Sequence, residues 1–296
     1  MSTAQWVLSA VLAAMVFSVA LDLRWLDFHR VLQMPRAVVC GLVPQFVLLP
    51  AATLLATLAL DLPPNLEVAM ILVAACPGGA LSNVITHLGR GNTALSVSIS
   101  AVAALLALVL TPFNFAWMVA SNPATAGWMR QLQVDPTGIA FSLLGLLAVP
   151  MAAGLLLNHH ASALTTRLRR PLKRFALLAL LAFVLVGLVR DRHLITAQII
   201  LPFLLVVAHN ACGLLLGWAA ARAFRLGPRD RRAVIIEGGM QNAGLALGII
   251  ALQFDSDVGM VVLVSQWGMW HIVTGLALAR WWRAADARPA PGAVAI

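Results

Sequence analysis

Nine apolar stretches, near residues 5–22, 37–60, 66–89, 92–118, 136–158, 174–190, 195–222, 232–253 and 257–280, take up most of this 296-residue chain. A run of about 20 such residues is long enough to cross a hydrocarbon layer of about 30 Å. No water is present in that layer to satisfy backbone N–H and C=O groups, so each crossing stretch must bond internally as a helix. A soluble core of the same size needs a polar coat. At 10% Asp, Glu, Lys and Arg the chain cannot supply one, because an average soluble domain carries roughly 25%. The sequence therefore predicts an all-α membrane protein of nine transmembrane helices, with membrane lipid as its outer partner.

Charge sets the predicted orientation. All of the 20 Lys and Arg residues except Arg130, Arg190 and Arg192 fall in alternate loops. Arg24, Arg30 and Arg36 follow the first stretch and Arg90 the third, while Arg167, Arg169, Arg170, Lys173 and Arg174 follow the fifth. Arg222, Arg225, Arg229, Arg231 and Arg232 follow the seventh, and Arg280, Arg283 and Arg288 the last. Basic loops stay cytoplasmic, which predicts an N-terminus outside, a C-terminus inside and a bacterial inner-membrane location. The net charge of +9 then requires no nucleic acid, since it is divided among short breaks and forms no continuous stripe. Cys40, Cys76 and Cys212 lie in apolar stretches without CxxC spacing and read as packing residues. The first stretch has no basic segment before it and no small-residue cleavage site after it, so it reads as a retained span. Residues 1–283 form one transmembrane domain, and the Ala- and Pro-rich residues 284–296 a short disordered cytoplasmic tail.

Polar residues inside the stretches carry the remaining information. All but one of the 11 acids fall in loops or within about a turn of a stretch's end. The exception is Glu237, inside the eighth stretch. An ionised acid near the bilayer centre costs about 2.5–3.5 kcal/mol on insertion scales and so marks an ion or substrate path. The bland alternative is a neutral, hydrogen-bonded packing acid. Two stretches carry glycine-rich interruptions, Cys76-Pro77-Gly78-Gly79-Ala80-Leu81-Ser82-Asn83 in the third and Glu237-Gly238-Gly239-Met240-Gln241-Asn242 in the eighth. Proline removes a backbone donor and paired glycines form helix poorly, so both helices are predicted to break. Irregular backbone survives at membrane depth only where it is buried or lines a cavity, and a break in each half points to a carrier's binding site.

The halves also match: Gln45 and Asn210 lie in the stretches before the breaks, and Ser96, Ser98 and Ser100 or Ser265, Gln266 and His271 in those after. With four stretches on either side of the fifth, the two copies have opposite topology, an inverted repeat. Ser82, Asn83, Ser96, Ser100, Gln45 and Gln241 offer oxygen and Glu237 the negative charge, a donor set suited to sodium rather than to zinc or copper. Any single serine can instead bond its own i−4 carbonyl.

Residues 76–112, CPGGALSNVITHLGRGNTALSVSISAVAALLALVLTP, and residues 235–246, IIEGGMQNAGLA, resemble the bile acid:sodium symporter family, and the resemblance extends over nearly the whole chain. It implies a nine-span member whose broken helices cross at mid-membrane. A core (spans near 37–118 and 195–280) would move against a panel (spans near 5–22, 136–158 and 174–190). Two sodium ions are implied. One would be held by Ser82, Asn83, Ser96, Ser100 and Glu237, the other among Gln45, Glu237, Gln241 and the carbonyls of Gly238 and Met240. Ala80, Asn242, Asn210 and His271 would lie on the substrate side. The implied activity is sodium-coupled symport of an organic anion, bile-acid-like or a small carboxylate such as pantoate, by alternating access in a monomer, with no catalytic residue. Three positions depart from the family's usual pattern: Ala80 replaces a frequent Thr, Gly238 a usual Val, and Ile272 a common Asn. Gly238 is expected to loosen the second break.

A proton-coupled carrier is the nearest alternative, because a desolvated carboxyl holds its proton more readily. An intramembrane enzyme or metal protein using His159, His160, His209 and His271 is a weaker one. His159 and His160 sit at a span's end on different helix faces, and the chain has neither HExxH nor GxSxG. A signalling receptor on the same scaffold is a third.

Overall fold

The computed structural model describes residues 3–23, 25–79, 81–132, 136–190 and 199–287. Ala80, Arg24, Arg192, residues 195–198 of the seventh stretch and residues 288–296 of the tail lie outside them. The described residues are helical throughout, with short connections. The order is α1 (Thr3–Asp22), α2 (Trp25–Gln33), α3 (Pro35–Leu60), α4 (Pro64–Ala75), α5 (Leu81–Leu88), α6 (Thr93–Ser121), α7 (Pro123–Gln131), α8 (Pro136–His160) and α9 (Ser162–Arg190). It continues with α10 (Ile200–Ala223), α11 (Pro228–Gly239), α12 (Ala243–Gln253) and α13 (Val258–Asp286).

Among the described residues, 6 segments are long and apolar enough to cross a membrane: α3, α6, Thr137–His160 of α8, α10, Pro228–Gln253 and α13. The third predicted stretch is no single crossing helix, because α4 has 12 residues and α5 only 8. Three segments read as loops are helical. The basic residues 162–173 begin α9, since Arg, Leu and Lys are good helix formers and outweigh Pro171. Asp27 in the first turn of α2 pairs with Arg30 at 3.2 Å, and Asn122 caps α7 by accepting the Ala124 amide at 2.9 Å.

Both predicted breaks are present. Cys76, ahead of Pro77, is extended at ψ 146 and ends α4, as expected for a residue preceding proline. Met240 is extended at φ −118, ψ 117 and ends α11 after the glycine pair. The breaks touch, because the Asn242 amide donates to the Pro77 carbonyl at 2.8 Å. Each leaves a carbonyl end in the protein interior, and each such end is bonded from a neighbouring helix. Thr111 Oγ1 donates to Ala75 O at 2.7 Å, and Asn210 Nδ2 to Gly239 O at 2.7 Å. A buried carbonyl without a partner would cost about 1–3 kcal/mol, so these bonds make the breaks tolerable.

The broken helices are the most enclosed part of the fold. Every residue of α4 from Leu66 to Ala75 is buried, and so is 89% of the Pro228–Gln253 apolar window. A helix buried all round belongs to a core and not to a lipid face. Helix α11 lies unusually close to α10. A Cβ on Gly213 would fall 2.6 Å from Gly238 O, and one on Gly238 would fall 2.9 Å from Gly213 O and 3.1 Å from Gly217 Cα. Gly238 therefore belongs to a small-residue packing seam, and loosening of the break is not its main consequence.

Two amide–carboxylate pairs brace opposite ends of this core. Asn92 caps α6 through Oδ1 and donates from Nδ2 to Asp230 at 2.8 Å, at the start of α11. Asp257 caps α13 and accepts from Asn65 Nδ2 at 3.0 Å, at the start of α4. The chemistry is the same with the two residue types exchanged. Asn92→Asp retains the cap but sets two carboxylates together, and is expected to lower stability by about 1–3 kcal/mol. Adding Asp230→Asn should restore the unfolding midpoint, since it reproduces the Asp257–Asn65 arrangement.

Candidate functional site

Glu237 is fully buried, two residues from the end of α11. Its Oε1 accepts from Ser82 Oγ at 2.6 Å, Ser96 Oγ at 2.5 Å and Ser100 Oγ at 3.1 Å. Its Oε2 accepts from Gln45 Nε2 at 3.3 Å and also lies 3.3 Å from Ser100 Oγ. Asn83 joins at one remove, with Oδ1 2.8 Å from Ser96 Oγ and 3.4 Å from Ser100 Oγ. Ser82 belongs to the first turn of α5, just past the first break, and Ser96 and Ser100 lie one turn apart on α6. Three helices, α3, α5 and α6, thus converge on a carboxyl group carried by a fourth.

Gln45 arrives through a local defect. In α3 the Leu49 amide bonds to Pro44 O, so the turn widens to five residues over Pro44–Leu48. Such wide turns are common at functional sites, and Pro44, which has no N–H, cannot make the regular bond. The Gln45 side chain then spans both breaks: Oε1 accepts the Gly78 amide at 3.2 Å while Nε2 reaches Glu237. Around Gly78 three acceptors gather. A Cβ there would lie 3.1 Å from Glu237 Oε2, 3.3 Å from Met240 O and 3.5 Å from Gln45 Oε1.

Gln45 Nε2 brings amide hydrogens to Glu237 Oε2, and Ser82, Ser96 and Ser100 have one hydroxyl hydrogen each. Glu237 Oε1 and Oε2, Asn83 Oδ1 and Gly79 O all lie within reach of those three. Even with the Gln45 amide included, lone pairs outnumber hydrogens, and two of the acceptors belong to one carboxyl group. A group so rich in oxygen lone pairs suits a cation. The oxygen-only chemistry suits a hard ion, and among the described residues no group of three or more His, Cys, Asp or Glu side chains could hold a metal.

Gln241 is buried with neither amide atom hydrogen-bonded among the described residues. The Gly238 carbonyl faces Gly213. Asn242 caps α12 by accepting the Leu245 amide at 3.0 Å. Asn210 is engaged at both ends, donating to Gly239 O and accepting from Thr274 Oγ1 at 2.8 Å. His271 is buried against Trp267, with Nδ1 unpartnered among the described residues.

His209 has a complete local role. Trp267 Nε1 can only donate, at 3.0 Å, so His209 Nδ1 accepts and Nε2 carries the hydrogen. Nε2 donates to Thr53 Oγ1 at 2.8 Å, and that hydroxyl donates to Leu49 O at 2.7 Å. The ring is a neutral crosslink between α3, α10 and α13. The rings of His159 and His160, expected on different faces, lie 4.8 Å apart edge to face.

Sequence reasoning missed Glu67. This acid is fully buried in the first turn of α4, accepting from the Leu62 amide at 3.1 Å and Asn122 Nδ2 at 2.9 Å. A carboxylate in a first turn complements the helix dipole. Only its position three residues after Pro64 signalled it.

Two broken helices, with α3 and α6 beside them, bring a carboxyl group, hydroxyls and amides to one buried point inside an apolar helical bundle, as a membrane transporter's site requires, and the comparisons with known proteins show that class. The model of the Sodium Bile acid symporter family matches residues 9–198. The chain belongs to that family, whose members are transporters and not enzymes. It is 29% identical to the uncharacterized sodium-dependent transporter YocS of Bacillus subtilis, over 94% of this chain and 84% of that one. It is 28% identical to the probable sodium/metabolite cotransporter BASS1 of Arabidopsis thaliana chloroplasts, over 95% of this chain and 69% of that one. It is 27% identical to the human ileal sodium/bile acid cotransporter, over 85% of this chain and 70% of that one.

Proposed function

We propose that this protein couples sodium entry to the uptake of a small organic anion. The observation that carries the reading is the gathering of three serine hydroxyls, the Gln45 amide and, at one remove, Asn83 Oδ1 around the buried Glu237 carboxyl. One sodium ion is held by Ser82, Asn83, Ser96, Ser100 and Glu237. A second lies beside Gly78, among Glu237, Gln45 and the Met240 carbonyl, with Gln241 turning its free amide oxygen to it. The Gly238 carbonyl joins only if α11 moves from α10. Bound sodium neutralises Glu237 and fixes both breaks. Helices α5 and α12 begin there, and their positive ends suit an anion. Asn242 and His271 belong to the substrate side. Asn210 acts on the substrate side through the Gly239 carbonyl.

The bundle crosses the membrane nine times as an inverted repeat with its N-terminus outside, in a bacterial inner membrane, and works as a monomer. Helices α1, α8 and α9 pack on one another and form the panel; the rest form the core. Equal lengths support the repeat: α6 and α13 have 29 residues each, and α4 and α11 have 12 each. Rocking of core against panel exposes the site on alternate faces, driven by the differential affinity of sodium and anion for the two states.

The test is uptake in proteoliposomes of a panel of organic acids including a bile salt, pantoate and pyruvate. Replacing external sodium by choline at fixed pH should abolish uptake of whichever acid is carried. Uptake that persists in choline and follows a pH gradient would instead make the protein a proton-coupled carrier.

A further inference from the structure

The face of α13 that meets lipid changes character along its length. Met269, Val273, Leu276, Arg280 and Arg283 recur at helical spacing and form one stripe. The first three are 63%, 55% and 44% exposed, as apolar side chains on a lipid-facing surface are. Where the stripe turns basic, a cavity of about 560 Å³ opens between α13 and the end of α5. Arg90, Arg280 and Arg283 line it together with Leu88, Leu276 and Ala279.

Among the described residues Arg280 and Arg283 form no ion pair, and Arg90 forms only a long one. Asp286 is the carboxylate nearest to Arg90, at 3.9 Å. It is already held by Arg232 in a two-bonded pair, at 2.6 and 2.7 Å. Arg232 is fixed further by Gly89 O at 3.1 Å and by the Trp282 ring beneath its guanidinium. A preference for basic residues on one side of the membrane explains how many arginines are there. It does not explain why three from two separate segments share one cavity whose wall runs on into a lipid-facing stripe.

We propose that this cavity binds the headgroup of an anionic phospholipid, the phosphate among Arg90, Arg280 and Arg283 and one acyl chain along Leu276, Val273 and Met269. Basic pockets between membrane helices suit such headgroups, each arginine near the surface adding several-fold to affinity. The lipid also bridges α13 to the connection between α5 and α6, beside the Asp286–Arg232 clamp.

The test is native mass spectrometry of the delipidated full-length protein, offered phosphatidylglycerol or phosphatidylcholine with the same acyl chains. Wild type should retain phosphatidylglycerol at least about tenfold better. Arg90→Gln/Arg280→Gln/Arg283→Gln should abolish that preference, whereas Arg167→Gln/Arg170→Gln/Arg174→Gln should keep it. Arg283→Glu alone, at an exposed position in the last turn of α13, should weaken it without altering the unfolding midpoint. Equal retention of the two lipids, or equal loss in both triple variants, would overturn the proposal. So would displacement of phosphatidylglycerol by millimolar inorganic phosphate, which would identify a free-anion site.

Discussion

Glu237→Gln is expected to lower sodium-dependent uptake at least ~100-fold, corresponding to about 2.7 kcal/mol of lost sodium binding, while the protein still folds. The substitution keeps shape and most packing. It removes the charge and brings two hydrogens into a cluster whose cation affinity rests on surplus lone pairs. Glu237→Ala separates the two contributions. It also takes the Glu237 acceptor from Ser82, Ser96 and Ser100, leaving them Gly79 O and Asn83 Oδ1, and opens a buried cavity whose lost contacts lower stability. Alanine should therefore reduce both uptake and thermal stability, and glutamine chiefly uptake. Glutamine-variant uptake equal to wild type would show that the carboxylate is a packing acid.

The second large effect is steric. Gly213→Ala places a methyl 2.6 Å from the Gly238 carbonyl oxygen and 3.3 Å from Gly239 Cα. Backbone is not free to turn aside as a side chain would, so α10 and α11 must separate. Overpacking of this kind costs typically 1–3 kcal/mol, and the backbone contact puts the expectation near about 3 kcal/mol. Glu237 immediately precedes Gly238, so separation also displaces the carboxylate from its serines and uptake should fall with stability. Gly145→Ala in α8 is the control. Nothing lies within 4 Å of its Cβ, and replacing a helical glycine by alanine should stabilise by roughly 0.5–1 kcal/mol. Opposite signs from the same chemical change are the expected result.

What the sequence reveals and what it hides follow from where the free energy lies. A carboxylate, hydroxyls and amides inside apolar runs are costly enough to be visible without coordinates, so Glu237, Ser82, Ser96, Ser100 and Gln45 stand out individually, and the structure gathers them. Pro77 and the glycine pair before Met240 likewise announce the breaks. Features made by two segments acting together do not show. The Thr111 hydroxyl on Ala75 O, the Asn210 amide held at both ends and the Trp267–His209–Thr53 chain each need a partner distant in sequence. Gly238 illustrates the same limit. Glycine at a break reads as a source of looseness, but its fit against Gly213 and Gly217 becomes evident only when α10 lies alongside. The basic segment that opens α9 shows the reverse case, since its charge suggests a loop although Arg and Lys extend helices well.

The most direct measurement is isothermal titration of sodium chloride into the purified protein in a choline chloride background, with wild type and Glu237→Gln compared. A saturable sodium-specific heat in wild type that is absent from the variant is the predicted result. Saturable sodium binding of equal affinity in both would contradict the account.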